Sequence, residues 1–278
     1  MSRLLVCTDL DRTLLPNGPQ PESPGARALF ARLVGRPEVS LAYVSGRDPG
    51  RVRAAMAEYD LPSPDFVIAD VGTTLLSADG EGDWRDDRVW AGEIGTDWGE
   101  RDGDGLHALV GDVDGLERQE PDRQARFKLS YYTPEKPGDL PGRLQARLDD
   151  AGVRARVIWS IDEARGVGLL DVLPASASKY HAIRALARRE GLDLEATVFC
   201  GDSGNDMEVL VSEVPAVLVA NGAPEVIAEA RSRSAEQGHE RQLYVAMGGF
   251  MGMNGCYAAG MLEGIVHFHP GAREWLAP

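Results

Sequence analysis

The chain is poor in cysteine and aromatic residues, and few of its apolar stretches are long. Its 278 residues include 6% aromatics and three cysteines, Cys7, Cys200 and Cys256. These cysteines form neither a metal-binding spacing nor an even set for disulfides, so we expect a reducing, cytoplasmic compartment. An apolar segment begins within the first few residues, which leaves no room for a signal peptide and predicts that none is present.

Basic charge is also scarce. The chain has 29 lysines and arginines against 44 aspartates and glutamates, a formal net charge of -15. Nucleic acids and anionic membranes both demand a basic face, so neither is expected as the main partner. An anionic small molecule remains compatible with this charge, because local basic side chains and a bound metal can reverse the field inside one cleft.

One uncharged stretch needs comparison with a membrane span. It runs from Val245 to Leu262, but it contains Asn254 and five glycines between Gly248 and Gly260. So much glycine makes a single span poorly hydrophobic. We therefore predict a glycine-rich loop that leads into a packed helix, and assign the loop no function.

Apolar strand patterns alternate with helical patterns in the first third and the last third of the chain. Ser23 and Pro24 are typical of a helix start, as are Asp48 with Pro49, Ser178, and Pro224. The predicted strands are 4–8, 39–44, 66–69, 197–200 and 216–220. This alternation predicts an α/β fold, a Rossmann-like parallel sheet covered by helices on both faces.

The middle of the chain has a different pattern. Residues 79–114 are crowded with acidic residues, glycine and tryptophan, and the later segments 126–132 and 153–160 alternate polar and apolar residues. Alternation is typical of antiparallel strands with one wet face, and 140–151 has helical spacing between them. We predict an inserted α+β domain over 79–168, with a core domain formed by 1–78 and 169–278.

Two carboxylates follow the first predicted strand. Asp9 and Asp11 lie one residue apart after a short apolar run, which would deliver both into a crevice at the sheet edge. Carboxylates so close repel each other, and both stay ionised near neutral pH only beside a cation or strong donors. The pair therefore indicates a metal site.

Other predicted strand ends carry polar side chains that complement this pair: Ser45, Lys179, Asp202, Asn205 and Asp206. Taken singly, each has an ordinary explanation as a turn residue, a helix cap or a solvated charge. Together they supply a metal site, a nucleophile, a hydroxyl donor and a fixed cation at one edge. That combination suits phosphoryl transfer, which needs charge neutralised on phosphate oxygens and a nucleophile held in line.

The order of these residues resembles the four motifs of haloacid dehalogenase superfamily phosphatases. The motifs are Asp-Leu-Asp-Arg-Thr at 9–13, Ser45, Lys179, and Gly-Asp-Ser-Gly-Asn-Asp at 201–206. The resemblance spans nearly the whole chain, and the last motif is the most specific. Arg12 departs from the pattern, because many members carry glycine there, and it places a cation near the mouth of the cleft.

The resemblance implies a role for each motif residue. Asp9 would attack phosphorus and form an aspartyl-phosphate, while Asp11 would act as general acid and then general base. Mg²⁺ would be held by Asp9, by the backbone carbonyl of Asp11 and by Asp202, an oxygen-only set that suits this hard ion. Asp206 is expected at the same centre, where it orients Lys179 or a metal-bound water.

The same resemblance implies the substrate contacts. Ser45 and Lys179 would bind the phosphate. Arg47, Lys128 and Asn205 are assigned to substrate binding with them. Thr13 is assigned either to the substrate or to holding the motif loop together.

The inserted domain is similar to the larger type of cap in this superfamily. Segments 43–47, 71–73, 127–131 and 257–260 are similar to the sucrose-phosphate phosphatase branch. The resemblance implies a Mg²⁺-dependent phosphatase for a phosphorylated disaccharide or glycosyl compound, such as sucrose 6-phosphate or mannosylfructose phosphate. A phosphosugar mutase and a non-catalytic sugar-phosphate-binding protein remain as alternatives, and we expect a monomer or a weak homodimer.

Overall fold

The computed structural model describes residues 3–80, 82–99, 101–162 and 165–276. Its strands are β1 Leu4–Thr8, β2 Val39–Val44, β3 Phe66–Ala69, β4 Thr74–Ala78, β5 Trp84–Asp86, β6 Glu117–Arg118, β7 Leu129–Thr133, β8 Ala155–Asp162, β9 Val167–Pro174, β10 Thr197–Gly201, β11 Ala216–Leu218 and β12 Leu243–Val245. Its α-helices are α1 Ala26–Val34, α2 Pro49–Tyr59, α3 Arg88–Gly95, α4 Gly103–Val110, α5 Leu140–Asp150, α6 Lys179–Glu190, α7 Met207–Leu210, α8 Pro224–Glu236, α9 Ala258–Phe268 and α10 Ala272–Trp275.

The larger sheet has eight strands in the order β12-β11-β10-β1-β2-β3-β4-β5. The six strands from β12 to β3 pair in parallel, and β4 and β5 extend the sheet as antiparallel neighbours. Every residue of β1 is buried, as expected for a central parallel strand covered on both faces. The predicted α/β class, with a Rossmann-like parallel sheet, is therefore confirmed.

The second sheet belongs to the inserted domain, here called the cap. It has four strands in the order β6-β7-β9-β8, all paired antiparallel. Helix α5 packs its leucines Leu140, Leu144 and Leu148 into the cap interior, where all three are buried. The cap thus has the α+β composition that its alternating sequence pattern predicts.

Strand pairing contradicts both predicted domain boundaries. Strand β5, at 84–86, pairs with β4 of the larger sheet, although the sequence predicts that the core ends at residue 78. Strand β9, at 167–174, pairs with β7 and β8 of the cap, although it was expected to begin the second half of the core at 169. Apolar runs look alike in both sheets, so only the pairing partners reveal that the cap extends to Pro174.

The start of the first helix was also predicted wrongly. Helix α1 begins at Ala26, because Gly25 adopts a left-handed conformation with a φ of 78° and interrupts the turn that Ser23 and Pro24 suggest. The Ser23 hydroxyl instead donates to the side-chain oxygen of Asn254 at 2.8 Å. Other helix starts agree with their predictions, since Asp48 caps α2 and Ser178 caps α6.

The glycine-rich stretch forms the predicted loop before a packed helix, α9, whose residues 258–265 are buried. The buried carboxylate of Glu263 on α9 accepts from the backbone N–H groups of Met247 and Gly248, each at 2.9 Å. Within the described ranges, no helix combines the length and apolar character needed to cross a bilayer.

Candidate active site

The carboxyl ends of the central strands place Asp9 and Asp202 side by side. Asp9 follows β1 and Asp202 follows β10, and these two strands are neighbours in parallel register, with Thr8 opposite Cys200. The backbone N–H of Asp9 donates to the carbonyl of Cys200 at 2.9 Å, which extends the pairing to the catalytic edge. Both residues are buried, at 4% relative exposure each.

Lys179 completes this group as a buried cation. It is the first residue of α6, and its Nζ lies 3.2 Å from Asp9 Oδ1 and 2.7 Å from Asp206 Oδ1. Burial alone disfavours the charged ammonium, but the carboxylates of Asp206 and Asp9 outweigh it and raise the pKa of Lys179 above its usual value. Lys179 therefore stays charged and directed at Asp9.

Asp206 binds both Lys179 and the loop that carries Asp202. Its Oδ2 accepts from the backbone N–H groups of Asp202 at 3.1 Å and Ser203 at 3.3 Å, while its Oδ1 accepts from Lys179. Because both of its oxygens accept hydrogen bonds, the Asp206 carboxylate fixes the orientation of the groups that donate to it. This geometry favours the predicted role of orienting Lys179.

The same three aspartates offer a fit for a hard metal ion. Oxygens of Asp9, Asp202 and Asp206 lie within 4.8 Å of one another, and all three residues are buried. Burial, with Asp206 nearby, raises the pKa of Asp9 to about 7 and that of Asp202 to about 6. A raised pKa means that the ionised carboxylates are disfavoured, and a divalent cation would stabilise them. Mg²⁺ prefers such oxygen ligands.

The side chain of Asp11 lies outside this cluster, with its carboxylate 43% exposed. Arg47 holds it through two hydrogen bonds, from Nε to Oδ2 at 2.8 Å and from Nη2 to Oδ1 at 2.6 Å, and Asn17 donates a third at 2.7 Å. Burial works to raise the pKa of Asp11, but these donors lower it overall. The structure therefore does not bring the Asp11 carboxylate to the metal cluster, and coordination by its backbone carbonyl stays a prediction.

Ser45 follows β2, beside β1, and is 1% exposed. Its hydroxyl accepts from the backbone N–H of Arg47 at 3.2 Å. After the next strand, β3, Val71 donates its N–H to the Ser45 carbonyl at 3.2 Å and Asp70 donates its N–H to the Arg47 carbonyl at 2.9 Å. The loop after β3 therefore fixes the loop that carries Ser45 and Arg47.

That loop after β3 is conformationally unusual. Asp70, Val71 and Gly72 have φ values of 51°, 61° and 101°, all in the left-handed region. A Cβ on Gly72 would lie 2.2 Å from the backbone carbon of Ser178 and 2.6 Å from the backbone nitrogen of Lys179. Gly72 therefore permits the close approach that positions the N-terminus of α6.

Two residues predicted to bind substrate contact other side chains of the site. The Thr13 hydroxyl is fully buried and donates to Asp202 Oδ1 at 3.4 Å. This contact favours the prediction that Thr13 holds the motif loop together. Asn205 is exposed, and its Oδ1 accepts from Lys179 Nζ at 3.2 Å. Contact between the Asn205 side-chain amide and the substrate stays a prediction.

The cap approaches the site through Lys128. Its Nζ lies 3.9 Å from Asp70 Oδ1, and its side chain is 13% exposed. A cavity of about 180 Å³ lies here, with both core and cap residues in its wall. The lining residues are Gly46, Asp48, Arg51, Asp70, Gln119, Asp122, Arg123, Lys128, Leu169 and Asp171. Because Gly46 lies between Ser45 and Arg47, this cavity begins beside the predicted phosphate contacts.

The sequence interpretation missed two residues that shape the site, Asp70 and Asn221. Asn221 is 3% exposed, donates to the Arg12 carbonyl at 2.6 Å and accepts from the N–H of Tyr257 at 2.8 Å. The buried Asp70 carboxylate accepts from the Thr74 hydroxyl and lies near Lys128 of the cap. Both residues follow parallel strands, as Ser45 and Asp202 do. Polar residues at the ends of parallel strands are the pattern that located the other site residues, and the same pattern could have identified these two.

The chain is similar to known proteins over nearly its whole length. The family model for sucrose-6F-phosphate phosphohydrolase matches residues 2–269. A protein of Nitrosococcus oceani named as a HAD-like hydrolase is 50% identical over 276 residues, which cover 99% of this chain and 74% of that protein. Sucrose-phosphatase 1 of Nicotiana tabacum is 28% identical over 97% of this chain, which spans only 60% of that relative.

A solved structure is similar over the whole chain. The sucrose-phosphatase of Synechocystis, crystallised in complex with sucrose and phosphate, is 25% identical, with a TM-score of 0.72. The alignment covers 97% of this chain and 99% of that chain. The chain therefore belongs to the sucrose-6F-phosphate phosphohydrolase family, and it is a sugar-phosphate phosphatase of the haloacid dehalogenase superfamily.

Proposed function

We propose that the chain is a Mg²⁺-dependent phosphatase that hydrolyses a phosphorylated disaccharide or glycosyl compound through an aspartyl-phosphate. One observation carries this proposal. The buried Asp9 carboxylate contacts a fixed cation, Lys179 at 3.2 Å, and lies within 4.8 Å of a second acidic ligand, Asp202. A nucleophile in that position meets a phosphate whose negative charge is neutralised by nearby cations.

The chain's own groups would bind the phosphate before reaction. Lys179 contacts Asp9 directly, and Ser45 follows β2, the neighbour of the strand that carries Asp9; both residues are buried. The electrostatic attraction of a buried ammonium for phosphate oxygens is larger than in water because little solvent screens it. Mg²⁺ held by Asp9 and Asp202 would neutralise further charge on the phosphate as it is transferred.

In the first step, an Asp9 oxygen attacks phosphorus while the bond from phosphorus to the sugar oxygen breaks. Asp11 supplies the proton that the leaving sugar oxygen needs. Arg47 grips Asp11 through two hydrogen bonds and keeps its pKa low. Arg47 must therefore loosen this grip, for example by turning to the substrate phosphate, before Asp11 can carry a proton.

In the second step, water attacks the phosphorus of the aspartyl-phosphate and transfers its proton to Asp11. The bond between Asp9 and phosphorus breaks, inorganic phosphate leaves and the Asp9 carboxylate is restored. Splitting one displacement into two gives each a good nucleophile and a general acid or base within reach.

The sugar would occupy the cavity between the core and the cap. This cavity starts at Gly46 and is lined on the cap side by polar and charged groups, including Lys128 and Asp171. Such groups suit the hydroxyls of a sugar rather than an apolar leaving group. The similarity to sucrose-phosphatases supports a disaccharide such as sucrose 6-phosphate or mannosylfructose phosphate.

A turnover screen tests the proposal. Phosphorylated mono- and disaccharides are incubated with the chain with and without Mg²⁺, and both free phosphate and the sugar product are measured. We expect stoichiometric phosphate release, strongest for a disaccharide phosphate and abolished by a chelator.

Two other outcomes would replace this proposal. A phosphosugar isomer formed without net phosphate release would identify a mutase. Binding of sugar phosphates with no turnover under any metal condition would identify a non-catalytic sugar-phosphate-binding protein.

A further inference from the structure

Arg12 places a second cation at the acidic cluster, next to the nucleophile loop. Its Nε lies 3.4 Å from Asp202 Oδ2, and its side chain is 44% exposed whereas Asp202 is 4% exposed. Lys179 already balances Asp9 and Asp206 from inside the fold. Arg12 therefore faces the remaining aspartate from a partly exposed position.

The backbone of Arg12 is fixed in an unfavourable conformation. Its φ is 57°, in the left-handed region that residues with a Cβ rarely adopt. Its N–H donates to Asn17 Oδ1 at 2.8 Å, and its carbonyl accepts from the Asn221 amide at 2.6 Å. Its Nη2 also donates to the Asn221 carbonyl at 3.3 Å. These contacts direct the guanidinium toward Asp202.

We propose that Arg12 is a positioning residue that weakens divalent-cation binding at Asp9 and Asp202, so that the metal centre exchanges its ion readily. The inference rests on the proposed metal-dependent function. Three carboxylates face one another here, and Lys179 and Arg12 together offset two of their charges. Removing Arg12 leaves an additional unbalanced negative charge, which attracts a divalent cation more strongly.

A purely structural role for Arg12 predicts the opposite result. If the guanidinium served to hold Asp202 in a binding orientation, its loss would misplace a ligand and weaken metal binding. Thr13 holds the other oxygen of Asp202 at 3.4 Å and would remain in place. The sign of the change in affinity therefore separates the two roles.

Isothermal titration calorimetry with MgCl₂ on the full chain tests the inference, with thermal unfolding as a control for folding. Arg12→Gly and Arg12→Asn both accept a positive φ and cannot reach Asp202, whereas Arg12→Lys retains a charge. We expect both neutral variants to bind Mg²⁺ about tenfold more tightly than wild type at low ionic strength, and Arg12→Lys to stay near wild type. The gain should shrink in about 0.5 M NaCl, because Arg12 is accessible to screening ions.

The outcomes separate this inference from the proposed function. Saturable Mg²⁺ binding by wild type, with equal or weaker binding by the neutral variants, overturns the inference alone. Tighter binding by Arg12→Lys, equal to that of Arg12→Gly, overturns it as well, since charge would not be the cause. If no variant binds Mg²⁺, the proposed metal function fails and the inference fails with it.

Discussion

The core and the cap face each other across the candidate site, but their side chains are held very differently. On the core side, Asp9, Asp206 and Lys179 are nearly inaccessible to solvent, and Lys179 contacts the two carboxylates at 3.2 and 2.7 Å. On the cap side, Lys128 reaches the core through an ion pair of 3.9 Å with Asp70, beside an open cavity. Preorganised charges on the core suit chemistry that is common to all phosphate esters. Looser contacts on the cap suit the recognition of one particular leaving group.

The largest effect should come from the core nucleophile. Asp9→Asn keeps the shape of the side chain but removes the attacking carboxylate, so turnover should fall by about 10⁴-fold or more. The assay is phosphate release from any ester that the wild type accepts, with circular dichroism to show that the fold persists. Asp11→Asn is the matched control, because it should still allow slow phosphorylation of Asp9 while blocking hydrolysis. Phosphoenzyme trapped in the Asp9 variant would show that the nucleophile is assigned wrongly.

A second change tests how rigidly the core edge is held. Gly72→Ala places a Cβ against the backbone of Ser178 at a φ of 101°, so the free energy of unfolding should fall by about 3 kcal/mol, with a loss of kcat as Lys179 shifts. Gly80→Ala is the control, since Gly80 has a φ of 82° but nothing within 4 Å of an added Cβ. It should cost only about 1 kcal/mol and leave kcat intact. Equal effects in urea titrations of both variants would show that the contact with Ser178 is unimportant.

A third change tests the specificity assigned to the cap. Lys128→Ala should reduce kcat/KM for the preferred sugar phosphate by about 10- to 100-fold, because contacts remote from phosphorus orient the reacting group. The loss on p-nitrophenyl phosphate should be less than about threefold. Lys136→Ala, which removes an exposed lysine of the same domain, provides the baseline for both substrates. Equal losses on both esters would place Lys128 with the phosphate-binding residues of the core.

The smallest expected effect concerns Asp70, where the two domains meet. Burial raises the pKa of Asp70 to about 6, despite the opposing charge of Lys128. A carboxyl with a raised folded-state pKa binds its proton more tightly in the folded state, so its contribution to stability is greatest at low pH. That contribution is lost as pH rises from about 4 to about 6.

Asp70→Asn removes this titration. Relative to wild type, the variant should therefore gain about 1 kcal/mol in the free energy of unfolding between pH 5 and pH 8. Asparagine also tolerates the positive φ of this position. Urea titrations of both proteins at the two pH values give the comparison. A difference that does not change with pH would mean that the carboxyl titrates as an exposed one.

The same contrast explains what the sequence could predict. Strand ends converge on one edge of a parallel sheet by geometry alone, so Asp9, Ser45 and Asp202 were located from apolar runs followed by polar residues. The close approach of Lys179 to Asp9 follows from the tight packing of α6 on the turn at Gly72, a contact between distant segments that no local pattern records.

In the cap, local patterns carried less information. The strands at 129–133 and 155–162 begin two or three residues later than their alternation suggests, and helices α3 and α4 were not predicted. Strand β9 has the apolar composition of a core strand, yet it pairs with the cap sheet. Which sheet a strand joins depends on pairing partners far along the chain, and composition does not specify them.

The adjacency of β1 and β10 at the centre of the larger sheet has a consequence for folding. Thr13 and Asp202 touch although 189 residues separate them in the sequence. During synthesis, the nucleophile strand emerges long before its partner, and closing so long a loop is entropically costly and slow. A nascent chain that ends before β10 therefore has Asp9 without Asp202, Asp206 or the neighbour strand that fixes its position. Catalytic competence should appear only in a late folding event, after the whole cap has been made.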